Sequence, residues 1–186
     1  EVWWTPILPP ALIAVTVSMT IFPLSTGLMV SLDPFCPLEE IDVEFMDRKP
    51  NFWALIPLYC DMLMESKRIP EDYDMSHLRT IGAGAEAMND RKYAEVEAFF
   101  HKHNVKAKFS AGYGQSEGCS NFTLPNPMFP LEDGCVGMPM PATVLAVFDK
   151  DLNEMNYGES GELCMMGPSM MLHYSGWRGE EMTEKT

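Results

Sequence analysis

Apolar and polar positions alternate between two periods over the first two thirds of the chain. Apolar residues at helical spacing predict helices at residues 11–22, 37–47 and 58–65, and another that opens at Asn89, a good N-cap residue. Short apolar runs predict strands at residues 28–32, 51–56, 78–81 and 105–110. Because strands and helices alternate, we expect an α/β fold in which a parallel sheet is flanked by helices.

The pattern changes after about residue 121. Prolines are frequent there, and two β-type runs follow at residues 143–148 and 161–166, joined by a polar loop. We therefore predict an α/β portion over residues 1–125 and an appended, mostly antiparallel β-rich portion over residues 126–186. Both belong to the same domain in this interpretation.

The run at residues 11–22 has two interpretations. It lies in a stretch without charges between Glu1 and Asp33, so a transmembrane helix is one possibility. Pro23 and Gly27 instead divide the stretch into a helix of about 12 residues and a short strand, which is the size of core elements. We favour the buried helix and expect no membrane span.

Composition narrows the function classes. The 186 residues include 13 Lys and Arg against 27 Asp and Glu, which gives a net charge of −14. Such an acidic chain is a poor candidate for nucleic-acid binding through its whole surface. The five cysteines form no C-x-x-C pair, which favours reduced thiols in a cytoplasmic protein over a zinc site or disulfide scaffold. The sequence does not indicate an oligomeric state.

Two short motifs suggest different enzymes. Residues 82–87 (GAGAEA) fit the G-x-G-x-x-A fingerprint of a dinucleotide fold, but the acidic residue expected about 20 positions later is missing. Residues 114–118 (GQSEG) fit the G-x-S-x-G elbow of a serine hydrolase, and Ser116, Asp149 and His173 follow in the required order. The residues after Gly118 are poor helix formers, which argues against the elbow.

The same segment with its neighbours, residues 111–117 (AGYGQSE), indicates nucleotide chemistry. Tyr113 offers an aromatic face to a nucleobase between two glycines that permit close approach to the backbone. Ser116 offers a hydroxyl to a phosphate oxygen, and Glu117 offers a hard oxygen ligand to the magnesium ion that accompanies a nucleotide.

The string GYGQSEG resembles the G-Y-G-x-[TS]-E motif of the adenylate-forming enzymes, which include the AMP-forming acyl-CoA synthetases. Three further stretches are similar to that family's motifs in the same order: residues 78–88 (LRTIGAGAEAM), 136–141 (VGMPMP) and 158–171 (GESGELCMMGPSMM). Each stretch is short, but four in order over the whole chain are specific.

The resemblance implies a ligase that joins a carboxylic acid to AMP at the expense of ATP and then passes the acyl group to a thiol, usually coenzyme A. It implies that Tyr113 stacks on the adenine, that Ser116 contacts phosphate and that Glu117 holds Mg²⁺. It places residues 51–56 in the wall of the acyl pocket. The remaining residues that it implies are Gly84, Ala85, Glu86 and Ala87 around the adenine and Gly112, Gly114 and Gln115 beside the acyl group.

The chain also departs from the family pattern. Ala83 and Ala85 stand where Ser and Gly are common, and His173 stands where Gly often precedes Tyr174. No P-loop segment occurs, and neither the ribose-binding aspartate nor the C-terminal domain follows. We therefore expect an internal part of the large domain, with weak nucleotide binding and no turnover alone. A serine hydrolase using Ser116 and an inactive adenylation-like module remain the alternatives.

Overall fold

The computed structural model describes residues 1–84, 88–125 and 135–185. Five strands, numbered in chain order, form one parallel sheet: β1 (Val2–Pro6), β2 (Met29–Asp33), β3 (Phe52–Leu55), β4 (Thr80–Ala83) and β5 (Phe109–Ala111). Their order across the sheet is β2-β1-β3-β4-β5, so the first strand of the chain lies inside the sheet. The predicted parallel α/β fold is confirmed.

The strand predictions need two corrections. Strand β1 is absent from the predicted set because its residues continue into the uncharged stretch without any change of period. The strand predicted at residues 105–110 begins later, at Phe109. Val105 is buried, but its amide donates to the carbonyl oxygen of Phe100 at 3.0 Å and so closes the end of the preceding helix.

Helices cover both faces of the sheet. A π-helical segment (Ala14–Ile21) continues into the short helix α1 (Phe22–Ser25) and contacts β1 and Ser120–Asn121. The buried helix expected at residues 11–22 is wrong in its burial, because Val15 is buried whereas Leu12, Ile21 and Phe22 are exposed. The opposite face packs against α2 (Ile41–Arg48, preceded by a 3₁₀ turn at Leu38–Glu40), α3 (Pro57–Glu65) and α4 (Asp90–Lys102). Within the described parts of the chain, no helix combines the length and apolar character that crossing a membrane requires.

Aromatic rings fill the core between the sheet and α2 and α3. The ring centroids of Trp4 and Trp53 are 4.9 Å apart, and Phe45 lies 5.2 Å from Trp53. Tyr59 packs 5.9 Å from the Trp53 ring and donates its hydroxyl to the carbonyl oxygen of Pro6 at 3.2 Å. This hydrogen bond fixes α3 against the carboxyl end of β1.

Antiparallel pairs follow the parallel sheet. They are β6 (Gly114–Gln115) with β7 (Ser120–Asn121), β8 (Thr123–Leu124) with β9 (Met138–Pro139), and β10 (Val144–Phe148) with β11 (Glu162–Met166). The β-rich character predicted for this part is confirmed. A short helix near the end, α5 (Gly179–Thr183), was not predicted. The division at residue 125 stays a prediction.

A buried carboxylate connects α2 to the loop after α3. Asp42 is 4% exposed and accepts hydrogen bonds from Ser66, from the amide of Val43 and from both Nε and Nη2 of Arg68. Desolvation raises the pKa of Asp42, but the hydrogen bonds from Arg68 and Ser66 outweigh it and hold the pKa below its ordinary value.

The cap of α4 can be tested directly. Asn89 Oδ1 accepts from the amide of Lys92 at 2.9 Å, which confirms the predicted N-cap. We expect Asn89→Ala to lower the free energy of unfolding by about 1 kcal/mol, because an amide of the first turn loses its acceptor. Asn89→Asp should retain most of the stability. Urea denaturation of the three proteins measures this, and equal stabilities for Ala and Asp would contradict it.

The Asp42 contacts predict a pH dependence. A carboxyl whose pKa is lower in the folded state stabilises the fold above the unfolded pKa, and this stabilisation is lost as the pH falls through the folded pKa. We therefore expect the wild type to be more stable than Asp42→Asn at about pH 6, with a difference that shrinks below the ordinary pKa of 3.8. Asp47→Asn, at an exposed position of α2, is the control. A difference independent of pH would contradict the assignment.

Candidate functional site

The two glycine-containing segments singled out by the sequence begin side by side. The amide of Gly112 donates to the carbonyl oxygen of Ala83 at 3.3 Å, and the amide of Gly84 donates to that of Leu55 at 3.2 Å. A Cβ atom built on Gly84 would lie 4.0 Å from the Gly112 carbonyl oxygen. Both segments therefore leave the sheet at the carboxyl ends of β4 and β5. Ala85, Glu86 and Ala87, the rest of the predicted adenine turn, lie outside the described residues.

After Gly112 the chain forms a narrow hairpin from β6 and β7. A 3₁₀ turn (Ser116–Gly118) makes its tip, and Cys119 completes the turn with a φ of 61°. The hairpin needs glycine on both sides of the tip. A Cβ at Gly114 would lie 1.8 Å from the carbonyl oxygen of Ser120, and one at Gly118 would meet the buried Phe122 ring at 1.6 Å.

Tyr113 is held mainly through its backbone. Its amide donates to Thr123 Oγ1 at 3.0 Å, and its carbonyl oxygen accepts from the amides of Phe122 and Thr123 at 2.9 and 3.0 Å. The side chain is half-buried, as is that of Gln115, whereas Ser116 is exposed. These bonds fix where the Tyr113 side chain leaves the backbone.

Glu117 is hydrogen-bonded to a segment of the β-rich portion. The Tyr174 hydroxyl donates to Glu117 Oε1, and the amide of Met171 donates to the Glu117 carbonyl oxygen at 2.6 Å. The hydrogen bond from Tyr174, together with one from the backbone, lowers the pKa of the Glu117 carboxyl. Glu117 is therefore a half-buried, ionised carboxylate at neutral pH.

Three residues that contact the hairpin have no role predicted from the sequence. Ser18 of the π-helical segment is hydrogen-bonded to the buried Ser120 of β7, and Met171 and Tyr174 hold Glu117. Both Met171 and Tyr174 lie in or beside a motif of the resemblance, which is the signal that could have drawn attention to them. Ser18 carries no such signal.

The hydrolase elbow does not form. Ser116 lies in a turn between two antiparallel strands, whereas the elbow requires a strand before the serine and a helix after it. Asp149 accepts from the amides of Asp151 and Asn153 within its own loop, at 2.8 and 2.9 Å, and His173 is exposed. The dinucleotide fingerprint begins inside β4, which contains Gly82 and Ala83, and its residues 85–87 lie outside the described part.

The side chains that could bind a metal ion here fit one only if a nucleotide supplies further ligands. Within residues 1–84, 88–125 and 135–185, no three His, Cys, Asp or Glu side chains are grouped so that they could hold a metal ion. Mg²⁺ at nucleotide sites takes one or two carboxylates, with phosphate oxygens and water completing its coordination. Glu117, a half-buried carboxylate beside the hairpin tip, could supply one such ligand.

Parallel α/β sheets bind ligands, nucleotides among them, in the crevice at the carboxyl ends of their strands, and here that edge carries Gly84, Gly112 and the Tyr113–Glu117 segment. The fold and the edge are thus those of a parallel α/β protein with a candidate ligand site at the carboxyl ends of its strands. The model of the AMP-binding enzyme family matches residues 1–175, and the chain belongs to this family.

Individual relatives agree with this assignment. The chain is 39% identical over 75 residues, 40% of its length, to the long-chain-fatty-acid–CoA ligase of Salmonella typhimurium, of which the match covers 13%. Its fold is similar to that of an anthranilate CoA ligase crystallised with anthranoyl-AMP (TM-score 0.83, 18% identity), covering 100% of this chain and 34% of that one. It is also similar to ATP-bound MatB from Rhodopseudomonas palustris (TM-score 0.79, 21% identity), covering 100% and 35%. The chain thus spans about a third of these solved proteins.

The hairpin makes a prediction about glycine. We expect Gly114→Ala to destabilise the fold by about 2–3 kcal/mol, because the added methyl group collides with the rigid backbone of β7. Gly84→Ala is the matched control, since among the described residues the nearest contact of its Cβ is the Gly112 carbonyl oxygen at 4.0 Å. Urea denaturation compares the two. Equal stabilities would show that the β6–β7 hairpin does not adopt the described geometry.

Proposed function

We propose that the chain supplies part of the nucleotide- and acid-binding region of an AMP-forming acyl-CoA synthetase. In the first step a carboxylate oxygen bonds to the α-phosphorus of ATP and pyrophosphate leaves, which gives an acyl-AMP. In the second step the sulfur of coenzyme A bonds to the acyl carbon, AMP leaves and the thiol proton is released. Under this proposal, residues 1–125 bind the adenosine and the acid, and Met171 and Tyr174 of the β-rich portion hold Glu117.

The observation that carries the proposal is the adjacency of Gly84 and Gly112. It brings the small-residue turn and the Tyr113–Glu117 segment to one edge of the sheet, although 27 residues separate them in the chain. An adenosine and its phosphates need a flat, small-residue surface and a polar segment next to each other. Two glycines at neighbouring strand ends leave space for the planar base against the backbone.

Tyr113 is the proposed platform for the adenine. Stacking of a base on an aromatic ring contributes about 1–3 kcal/mol. The backbone of Tyr113 is hydrogen-bonded to Phe122 and Thr123, which fixes the point from which its side chain extends. Because this part of the site is ordered before the ligand binds, less conformational entropy is lost on binding. Gly84, with Ala85, Glu86 and Ala87 after it, is proposed to line the other side of the base.

Ser116 and Glu117 are the proposed phosphate end of the site. Ser116 is exposed at the hairpin tip and offers its hydroxyl to a phosphate oxygen. Mg²⁺ bound with the nucleotide would neutralise charge that develops on the phosphates. The ionised Glu117 carboxylate is positioned to be its protein ligand, and a lowered pKa keeps it deprotonated.

The acid is proposed to lie between the hairpin and the end of β3. Gly112, Gly114 and Gln115 would border it on one side, and the residue 51–56 segment would form the wall on the other. In the sheet β4 lies between β3 and β5, so this location is at the same carboxyl edge as the proposed adenosine site. The relatives act on acids as different as long-chain fatty acids and anthranilate, so the acid class has to be measured.

The direct test of the function is an assay of carboxylate-dependent exchange of pyrophosphate into ATP. It uses the protein encoded by the complete open reading frame that contains this chain, and it compares short, aromatic and long-chain acids. We expect exchange with one of these acid classes and a loss of about 100-fold in Glu117→Gln, because the metal ion would lose its charged ligand. Glu162→Gln, an exposed position on β11, is the matched control and should retain the rate.

Two outcomes would contradict this function. Nucleotide binding without exchange for any acid would indicate an inactive adenylation-like module. Labelling of Ser116 by a fluorophosphonate would indicate a serine hydrolase, whereas an adenylating ligase should not react. An unchanged rate in Glu117→Gln would remove Glu117 from the metal role while leaving the ligase activity itself intact.

A further inference from the structure

Tyr174 contacts Glu117 from a distant part of the chain. The two residues are 57 positions apart, and the Tyr174 hydroxyl donates to the carboxylate oxygen Oε1. A second contact comes from the same segment, because the amide of Met171 donates to the Glu117 carbonyl oxygen. Side chain and backbone of Glu117 are thus both fixed by residues 171–174.

Tyr174 is itself anchored by α5. Its amide donates to Thr183 Oγ1 at 2.9 Å, and the Thr183 hydroxyl donates to the carbonyl oxygen of Gly179 at 2.8 Å. Gly179 is buried directly against the Tyr174 backbone, where a Cβ would lie 2.4 Å from the Tyr174 carbonyl oxygen. The segment from Met171 to Thr183, which ends in α5, is therefore held by its own hydrogen bonds, and Tyr174 connects it to the Glu117 carboxylate.

We propose that Tyr174 is a positioning residue for the metal-binding carboxylate of Glu117. This inference rests on the metal role given to Glu117 in the proposed function. A glutamate on a turn has three side-chain torsions to restrict before it can bind a cation. The hydroxyl of Tyr174 restricts them by holding one carboxylate oxygen, Oε1. Groups that orient a metal ligand in this way change metal affinity by about 10–100-fold when they are removed.

The test measures metal binding rather than turnover. The protein encoded by the complete open reading frame that contains this chain is titrated with Mn²⁺ in the presence of α,β-methylene-ATP. Electron paramagnetic resonance measures the free Mn²⁺ and so gives the Kd. We expect Tyr174→Phe to raise the Kd for Mn²⁺ by about 10-fold, since the ring remains and only the hydroxyl is lost. The Kd for AMP measured without metal should stay within about twofold, because the adenosine contacts do not involve Tyr174.

Matched variants separate positioning from folding. Tyr157→Phe removes a hydroxyl from a fully exposed tyrosine of the same β-rich portion and should leave the Kd for Mn²⁺ unchanged. Thr183→Val removes the anchor of Tyr174 without touching Glu117 and should raise that Kd in the same direction as Tyr174→Phe. It also provides the measurement if Tyr174→Phe does not fold.

The outcomes distinguish this inference from the proposed function. If Glu117→Gln weakens Mn²⁺ binding but Tyr174→Phe and Thr183→Val do not, the positioning role is wrong and the metal role of Glu117 stands. If Tyr174→Phe tightens Mn²⁺ binding, the tyrosine competes with the metal and the inference is overturned. If Glu117→Gln has no effect, the metal role fails, and the role of Tyr174 fails with it.

Discussion

The register of the parallel strands is the constraint on which both core and candidate site depend. The hydrogen bonds from Gly112 to Ala83 and from Gly84 to Leu55 extend the ladder one residue beyond the strands, so the two glycine segments emerge level with each other. A slip of one residue would turn buried side chains such as Trp53 to the other face of the sheet. Packing of the aromatic core therefore also fixes the edge where the ligand is proposed to bind.

Local signals were sufficient for much of this fold. Helix α4 could be predicted because its cap, Asn89, and its apolar face are both encoded within a few turns. The β10–β11 pair could be predicted because two β-type runs flank a polar loop. Strand β1 could not, because its five residues differ from the following uncharged stretch in neither polarity nor period, and only pairing with β2 and β3 defines it.

The residues of the candidate site also differ in whether local sequence could predict them. The sequence singled out Tyr113, Ser116 and Glu117 because aromatic, hydroxyl and carboxylate groups lie within five residues between glycines. Tyr174 could not be assigned a role from the sequence, since its contact with Glu117 is created only when the β-rich portion folds onto the hairpin. Ser18 and its partner Ser120 are even further apart in the sequence, at a separation of 102 residues. Serine is too common a residue for the sequence to indicate such a contact.

The interior location of β1 has a consequence for handling the protein. Exposed loop tips are the segments of a chain that tolerate nicking and insertion. Here Val2–Pro6 is bonded on both edges, to β2 and to β3, and carries the fully buried Trp4. Proteolytic nicking or an inserted linker at this segment would detach the edge strand β2 from the other strands of the sheet.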